Sequence, residues 1–264
     1  MMDRVMDNVL INDPFIKENH HSSKPIYAAL VPDEIFKGSH FERRFVTPFG
    51  KVWEKLAQVV ALEVHGNCTI GHLINGTVGS ESLRRIQEVL NKLEHGGNAK
   101  KTNTKTTPNW EQEIAYIKAG GGEKIPVSVI CDIFIQNEDT GLKYAFELKG
   151  PMPNSDQTKV SKEKLFKLLA MNPSQIDHAY YALPYNPYGK RKDYNWSFPM
   201  RWFDMHQDKS VLIGDEFWDL IGGSGTYAIF IREINLLGKE YKERIYKEFL
   251  GIEPPVNYDE ELLK

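Results

Sequence analysis

An α/β fold is predicted for this chain, and three features predict it. Several segments carry apolar stripes at helical spacing. Two neighbouring stretches alternate with strand periodicity around a short turn. The 264 residues, 41% hydrophobic and 26% charged, are enough to bury a substantial core. No repeat or linker divides the sequence, so a single domain over 1–264 is expected, with an N-terminal extension over about 1–40 and a polar tail over about 253–264.

Whole-chain properties exclude several classes. The longest apolar runs are strand-sized, short of the roughly 18–20 residues that a membrane span needs. The opening MMDRVMDNVLINDPF carries acids where a signal peptide would be apolar, so a cytoplasmic protein is expected. Two cysteines, Cys68 and Cys131, read as buried thiols rather than as a disulfide framework or zinc site. A formal net charge of −3 does not announce a nucleic-acid binder, so any such function must rest on local basic clusters.

From Ser39 to Gly66 the chain reads as helical, with Gly50 as a break and Gly66 as a stop. Val52, Leu56, Val59, Val60 and Val64 form its apolar stripe. A second helix is expected over Ser80–Glu94, capped by the Ser80 side chain, with Leu83, Ile86, Val89, Leu90 and Leu93 on one face. It stops at Gly96-Gly97. The stretch NAKKTNTKTTPN, about 98–109, has nothing larger than alanine to bury, so it is an exposed basic loop.

Two strands then carry the chemistry. In PVSVICDIFIQ, Val127, Val129, Cys131, Ile133 and Ile135 share one face and Ser128, Ile130, Asp132 and Phe134 the other. Both faces are largely apolar, as in a strand covered on both sides, which makes an acid at 132 costly unless it is paired or bound to a metal. NEDTG follows as a turn, with Gly141 left-handed. In LKYAFELKG, Glu147 and Lys149 share a face with Lys143 and Ala145, and a hairpin brings Asp132 within about one register step of Glu147. Next, QTKVSKEKLFKLLAMNP reads as a helix with buried Val160, Leu165, Leu168 and Leu169 flanked by Lys159, Lys162, Lys164 and Lys167. HAYYALPYNPYG reads as a further strand, and FWDLIGGSGTYAIFIREINLLG as two helices broken at Gly222-Gly223.

Hydrolysis of a phosphodiester needs charge neutralisation at the phosphate, an activated water and a stabilised leaving oxygen, which hard divalent cations supply. Magnesium takes oxygen ligands, usually one or two carboxylates plus waters. Asp132 and Glu147 supply the carboxylates, the Leu148 carbonyl a backbone oxygen, and Lys149 can orient or deprotonate the attacking water and counter the phosphate charge. Glu-x-Lys alone is common on alternating strands; the acid in the preceding apolar strand and the hairpin spacing make it informative. His65 and His72 lack the partners of a zinc site, and the glycine runs at 120–122 and 222–225 are turns.

Three stretches together, CDIFIQNEDTGLKYAFELKGPMPNSDQTKVSKEKL, NPYG followed by DYNWSFPMRWFD, and EFWDLIGGSGTY, resemble the PD-(D/E)xK nuclease superfamily. More narrowly they resemble its TdeIII-like type II restriction endonucleases, over about Phe41 to Leu237. The proline that often precedes the first acid is Cys131 here. The resemblance implies a restriction-endonuclease-like α/β core with a mixed central β-sheet flanked by helices, and a homodimer. It also implies Mg2+-dependent cleavage of double-stranded DNA at a short near-palindromic site of the GGNCC type, with a companion DNA methyltransferase in the cell and no stable complex with it. Such enzymes often add an acid from an N-terminal helix. Glu42, Glu54 and Glu63 are the candidates; resemblance favours Glu42 and Glu54, helical geometry favours Glu63, and Glu54 is the residue chosen. Lys190, Arg191, Lys192 and Arg201, set among aromatics, suit a DNA-facing loop, and Lys159 a phosphate contact. A repair or structure-specific nuclease, a non-catalytic DNA-binding protein on the same fold, and a metal-independent carbohydrate hydrolase remain alternatives.

Overall fold

The computed structural model describes residues 2–96 and 106–257. The exposed basic loop expected over 98–109 falls largely outside them, as does the end of the polar tail. The chain divides into two compact units, residues 1–52 with 228–264, and residues 53–227.

The smaller unit is helical. It contains α1 (Asp33–Val46) and buries Val5, Met6 and Val9. The Lys37 ammonium donates to the Phe249 carbonyl at 2.8 Å and the Phe41 and Phe249 rings pack at 4.5 Å, which ties its two chain segments together.

The larger unit is built on a five-stranded mixed sheet in the order β1-β2-β3-β4-β5: β1 (Gly66–Gly79), β2 (Lys124–Asn137), β3 (Lys143–Leu148), β4 (His178–Leu183) and β5 (Val211–Ile213). The first three strands run antiparallel and the last two parallel to β3. This is the mixed sheet flanked by helices that the family resemblance implied. The β2–β3 turn also forms as expected: Gly141 has φ +71°, and the Asn137 side chain accepts from the backbone of Asp139 and Thr140. The helix α5 (Ser155–Ala170) crosses from β3 to its parallel neighbour β4.

Two apolar layers sandwich the sheet. On one side α2 (Phe49–His65) and α6 (Asp215–Gly222) cover Ile133, Ile135, Phe146 and Leu148. On the other, α3 (Ser80–His95), α4 (Trp110–Lys118) and α5 cover Ala145, Tyr181 and Leu183.

Several local expectations need correction. Val59 and Val64 on α2 are exposed; its packed side is Trp53, Leu56, Ala57, Val60 and Ala61, because alanines let the helix approach the sheet. Ser80 does not cap α3 through its side chain. Instead Ser80 and Glu81 donate their backbone N–H groups to the carbonyls of Glu123 and Gly121, which satisfies two of the free donors at the helix start. On α5, Val160 is exposed and Lys162 is wholly buried. The Lys162 ammonium lies 2.6 Å from the Glu113 carboxylate, with the rings of Trp110, Phe166 and Phe203 at 5.0–5.8 Å. Burial holds its pKa below the usual lysine value, against the pull of Glu113.

β2 is covered on both sides only in part, since Ser128 and Ile130 are exposed. Simple alternation also fails along it. Val129 and Cys131 pack in the α3–α5 layer whereas Ile133 and Ile135 pack in the α2 layer, so the facing shifts at Asp132. Gly71, the residue opposite in register on β1, adopts φ +63°, a conformation open mainly to glycine, and this is where the two-stranded ladder is interrupted.

The connection from β4 to β5 wraps around Arg191. Its guanidinium donates to both carboxylate oxygens of Glu216 at 2.9 and 2.8 Å and to the carbonyls of Met205 and Asp208 at 3.0 and 2.6 Å. This side chain was expected to face DNA, but its donors are taken up inside the fold.

Two stability predictions follow. A methyl group at Gly79 would sit 2.2 Å from the Gly121 carbonyl oxygen, so Gly79→Ala is expected to destabilise by about 1–3 kcal/mol, read as a lower urea midpoint. An unchanged midpoint would refute the contact. Arg191→Ala should cost about 2–3 kcal/mol by leaving charged and carbonyl acceptors unmet, whereas Lys190→Ala, at an exposed position, should leave the midpoint in place.

Candidate active site

The β2–β3 register pairs Ile133 with Phe146, and one further step along it sets Asp132 beside Glu147. There the ladder gives way to side-chain bonding, and the Leu148 N–H donates to Asp132 Oδ2 at 2.9 Å. The next residue remains part of the sheet, since the Lys149 N–H donates to the Ala182 carbonyl at 3.0 Å. Strand pairing on one side and a carboxylate on the other therefore fix the backbone that carries Glu147, Leu148 and Lys149.

Three oxygens converge on one cation. Lys149 Nζ lies 2.5 Å from Asp132 Oδ2, 3.2 Å from the Leu148 carbonyl oxygen and 3.3 Å from Glu147 Oε2. These are the two carboxylates and the backbone carbonyl named from the sequence as metal ligands, and here they share an ammonium. Hard, anionic and carbonyl oxygens spaced around a single positive centre suit Mg2+, which prefers such donors and completes its shell with water. Among the described residues, no group of three His, Cys, Asp or Glu side chains gathers as a metal site, so the oxygen set is two carboxylates and a carbonyl.

The electrostatics follow from burial. The Glu147 side chain is 1% exposed, against 19% for Asp132 and 22% for Lys149. Burial, and then the charge of Asp132, push the Glu147 pKa above the usual carboxylate value, while Lys149 and Lys164 pull it down. Burial alone would lower the Lys149 pKa; the Asp132 and Glu147 carboxylates together outweigh it and raise the value. Cys131 is pushed up to about 12, first by burial and then by the same two carboxylates, and Cys68 to about 11 by burial, so both are the inert thiols expected.

The sequence reading did not single out the contribution of α5. Lys164 Nζ stands 2.8 Å from Glu147 Oε1, and Ser161 Oγ donates to Oε2 at 3.4 Å. Their three-residue spacing is the helical signal that would have found them. Gln157 starts the same helix, its N–H held by the Asn154 side chain at 2.8 Å.

Of the three N-terminal glutamates, Glu42 lies in the smaller unit, and Glu54 and Glu63 lie on α2. The apolar side of α2 packs on the sheet face bearing Phe146 and Leu148, the reverse of the face bearing Glu147. Among the described residues, neither Glu54 nor Glu63 forms a group of three acids with Asp132 and Glu147.

Lys159 is held by Glu94 at 2.6 Å. Lys190, Lys192 and Arg201 are exposed on the β4–β5 connection. Arg201 lines an open cleft of about 590 Å³ together with Asn195, Ser197 and Asp204. Three hydrogen bonds pin this connection to the turn after Lys149 and to the first residue of α5. The Tyr194 hydroxyl donates to the Pro151 carbonyl (2.8 Å), Trp196 Nε1 to the Pro153 carbonyl (2.8 Å) and Trp202 Nε1 to Ser155 Oγ (3.0 Å). The exposed cations are thereby tethered to the segment that leads out of the acid–lysine cluster.

Comparison with known proteins places the chain in a family. The chain is 29% identical over 232 residues to the type II restriction enzyme HgiCII of Herpetosiphon aurantiacus, covering 86% of this chain and 82% of that enzyme. It is 26% and 27% identical to the HgiBI and HgiEI enzymes of the same organism, each over 86% of this chain and 81% of the relative. No solved structure matches it significantly. The family model described as type II restriction endonuclease, HinfI, matches residues 1–238, and the chain belongs to that family.

Proposed function

From that membership we propose that the protein hydrolyses phosphodiester bonds of double-stranded DNA with Mg2+ at a short, near-palindromic site, of the GGNCC type that the sequence resemblance implies. The observation that carries the reading is the convergence of Asp132, Glu147 and the Leu148 carbonyl on one cation.

Mg2+ bound among these oxygens would lower the pKa of a water and offset charge on the phosphate and the leaving oxygen. Asp132 and Glu147 supply the negative charge that holds it, and the Leu148 carbonyl adds a neutral donor. Asp132 does this while bonded to the Leu148 N–H, which fixes the carboxylate's direction. Lys149, held as an ammonium by the two carboxylates, orients the attacking water and counters phosphate charge. Glu54 is retained as the proposed additional acid from the N-terminal helix, on resemblance alone.

Lys190, Lys192 and Arg201 are proposed to contact DNA, supported by their exposure and by the tether to the turn after Lys149. Arg191, held by Glu216, is proposed to shape that surface, and Lys159, paired with Glu94, to contact phosphate. A homodimer presenting two such surfaces would match a near-palindromic site through its two-fold symmetry. A companion DNA methyltransferase and a cytoplasmic location complete the proposal; among the described residues no helix is long and apolar enough to cross a membrane.

The purified chain is expected to cut phage or plasmid DNA into discrete bands with Mg2+ and to stop on addition of EDTA. Asp132→Ala and Lys149→Ala should each lower the rate by at least about 100-fold, with DNA binding by Lys149→Ala largely kept. Full cutting by either variant would sink the site assignment, smeared or junction-dependent products would point to a repair nuclease, and EDTA-insensitive cutting would refute the metal.

A further inference from the structure

We propose that Lys164 is a positioning residue for the metal: by holding Glu147 Oε1 it directs Oε2 toward the cation position shared with Asp132 and the Leu148 carbonyl. The inference rests on reading that cluster as the metal site.

The two oxygens of Glu147 have different partners. Oε2 faces Lys149 Nζ at 3.3 Å, and Oε1 faces Lys164 Nζ at 2.8 Å. Lys149 and a divalent cation need the same three oxygens, and the ammonium stands within 2.5–3.3 Å of all of them. A divalent cation held by those oxygens would compete with the ammonium for them, by occupancy and by charge repulsion. Once Lys149 has moved, Lys164 is the cation left on Glu147 among the ion pairs described for it.

The placement of Lys164 suits that task. It comes from α5, whereas Lys149 comes from the end of β3, so its hold on Oε1 does not depend on where Lys149 goes. α5 is anchored on the far side of this contact by the buried Lys162–Glu113 pair and by Leu165, Phe166 and Leu168 in the core. Thr158, earlier on the same helix, is wholly buried and lies 3.3 Å from the Tyr181 hydroxyl on β4. Ion pairs on open surfaces contribute little. This one differs because its carboxylate is 1% exposed, so water screens it poorly and removal of one partner leaves a buried charge unmet.

The test uses Mn2+ alone as a spectroscopic probe, with free Mn2+ counted by electron paramagnetic resonance as the full chain is titrated. Lys164→Met should bind Mn2+ about 10- to 100-fold more weakly than wild type, the scale found when partners of metal-ligating carboxylates are removed. Lys164→Arg should recover most of the loss. The Mg2+ concentration for half-maximal cutting should rise in parallel, with a smaller fall in rate at saturating Mg2+. Asp132→Asn is the control. If it binds Mn2+ like wild type, the metal reading itself is overturned, and this inference with it. If Asp132→Asn is impaired but Lys164→Met is not, only the role of Lys164 is overturned. Weaker DNA binding with a shallower salt dependence and unchanged Mn2+ affinity would assign Lys164 to a phosphate and also overturn the proposal. Thermal unfolding checks each variant, and Lys164→Gln, which keeps a donor but not the charge, replaces Lys164→Met if that chain does not fold.

Discussion

Everything at the centre of this protein is arranged around one buried carboxylate. Glu147 is 1% exposed and sits beside a second acid, and an isolated ion in that position would cost several kcal/mol. The fold offsets this with cations drawn from two directions: Lys149 from the same strand and Lys164 from the crossover helix. The parallel β3–β4 pair needs a crossover helix, and that helix must lie on one face of the sheet. Once it lies on the face of Glu147, Ser161 and Lys164 are brought to the carboxylate. The topology and the electrostatics therefore impose the same solution.

Asp132 depends on a different constraint. Regular alternation would carry Cys131 and Ile133 to one layer, yet they pack in two. The shift falls at Asp132, opposite a glycine in a left-handed conformation, and the strand pairing is interrupted there on both sides: Gly71 drops out of the β1–β2 ladder, and the Leu148 N–H bonds a side chain instead of a backbone carbonyl. A polar group can stand at this break because the backbone donor released by the strands is satisfied by the carboxylate itself.

Much of this was legible in the sequence because β3 alternates cleanly and its turn residues are unambiguous. Asp132 was singled out by the expected cost of its burial. The premise is only partly met, since the first half of β2 is open on one side at Ser128 and Ile130, but Asp132 does meet Glu147 and Lys149 as the hairpin spacing implied. Lys164 was seen only as one of four flanking lysines. Apolar counting drew the buried face of α5 through Val160, which is exposed, and scored Lys162, which is buried, as solvent-facing. Periodicity of hydrophobic residues cannot report a lysine buried by an acid and three aromatic rings, because Glu113, Trp110 and Phe203, which join Phe166 in that environment, lie elsewhere in the chain. The same limit applied to Arg191, whose acceptors at 205, 208 and 216 are brought to it only by the fold.

An acid, an apolar residue and a lysine in succession occur on any number of strands, so the motif gains meaning only from what its members share. Here they share a cation position. An ordinary structural ion pair needs one carboxylate; this ammonium has two carboxylates and a main-chain carbonyl within 3.3 Å, more anionic oxygen than one monovalent charge can balance. Lys164 supplies a second positive charge, but on the far side of Glu147 and outside the shared position, and burial and the neighbouring acid still push the Glu147 pKa upward. A centre of higher charge would relieve that strain better than lysine does. It would also free the lysine to act on whatever approaches from solvent, where the tethered segment carrying Lys190, Lys192 and Arg201 supplies exposed positive charge. On the proposed reading, the resting ion pairs stand where a divalent cation would bind, and the lysine that holds the place is the group its arrival would release for chemistry.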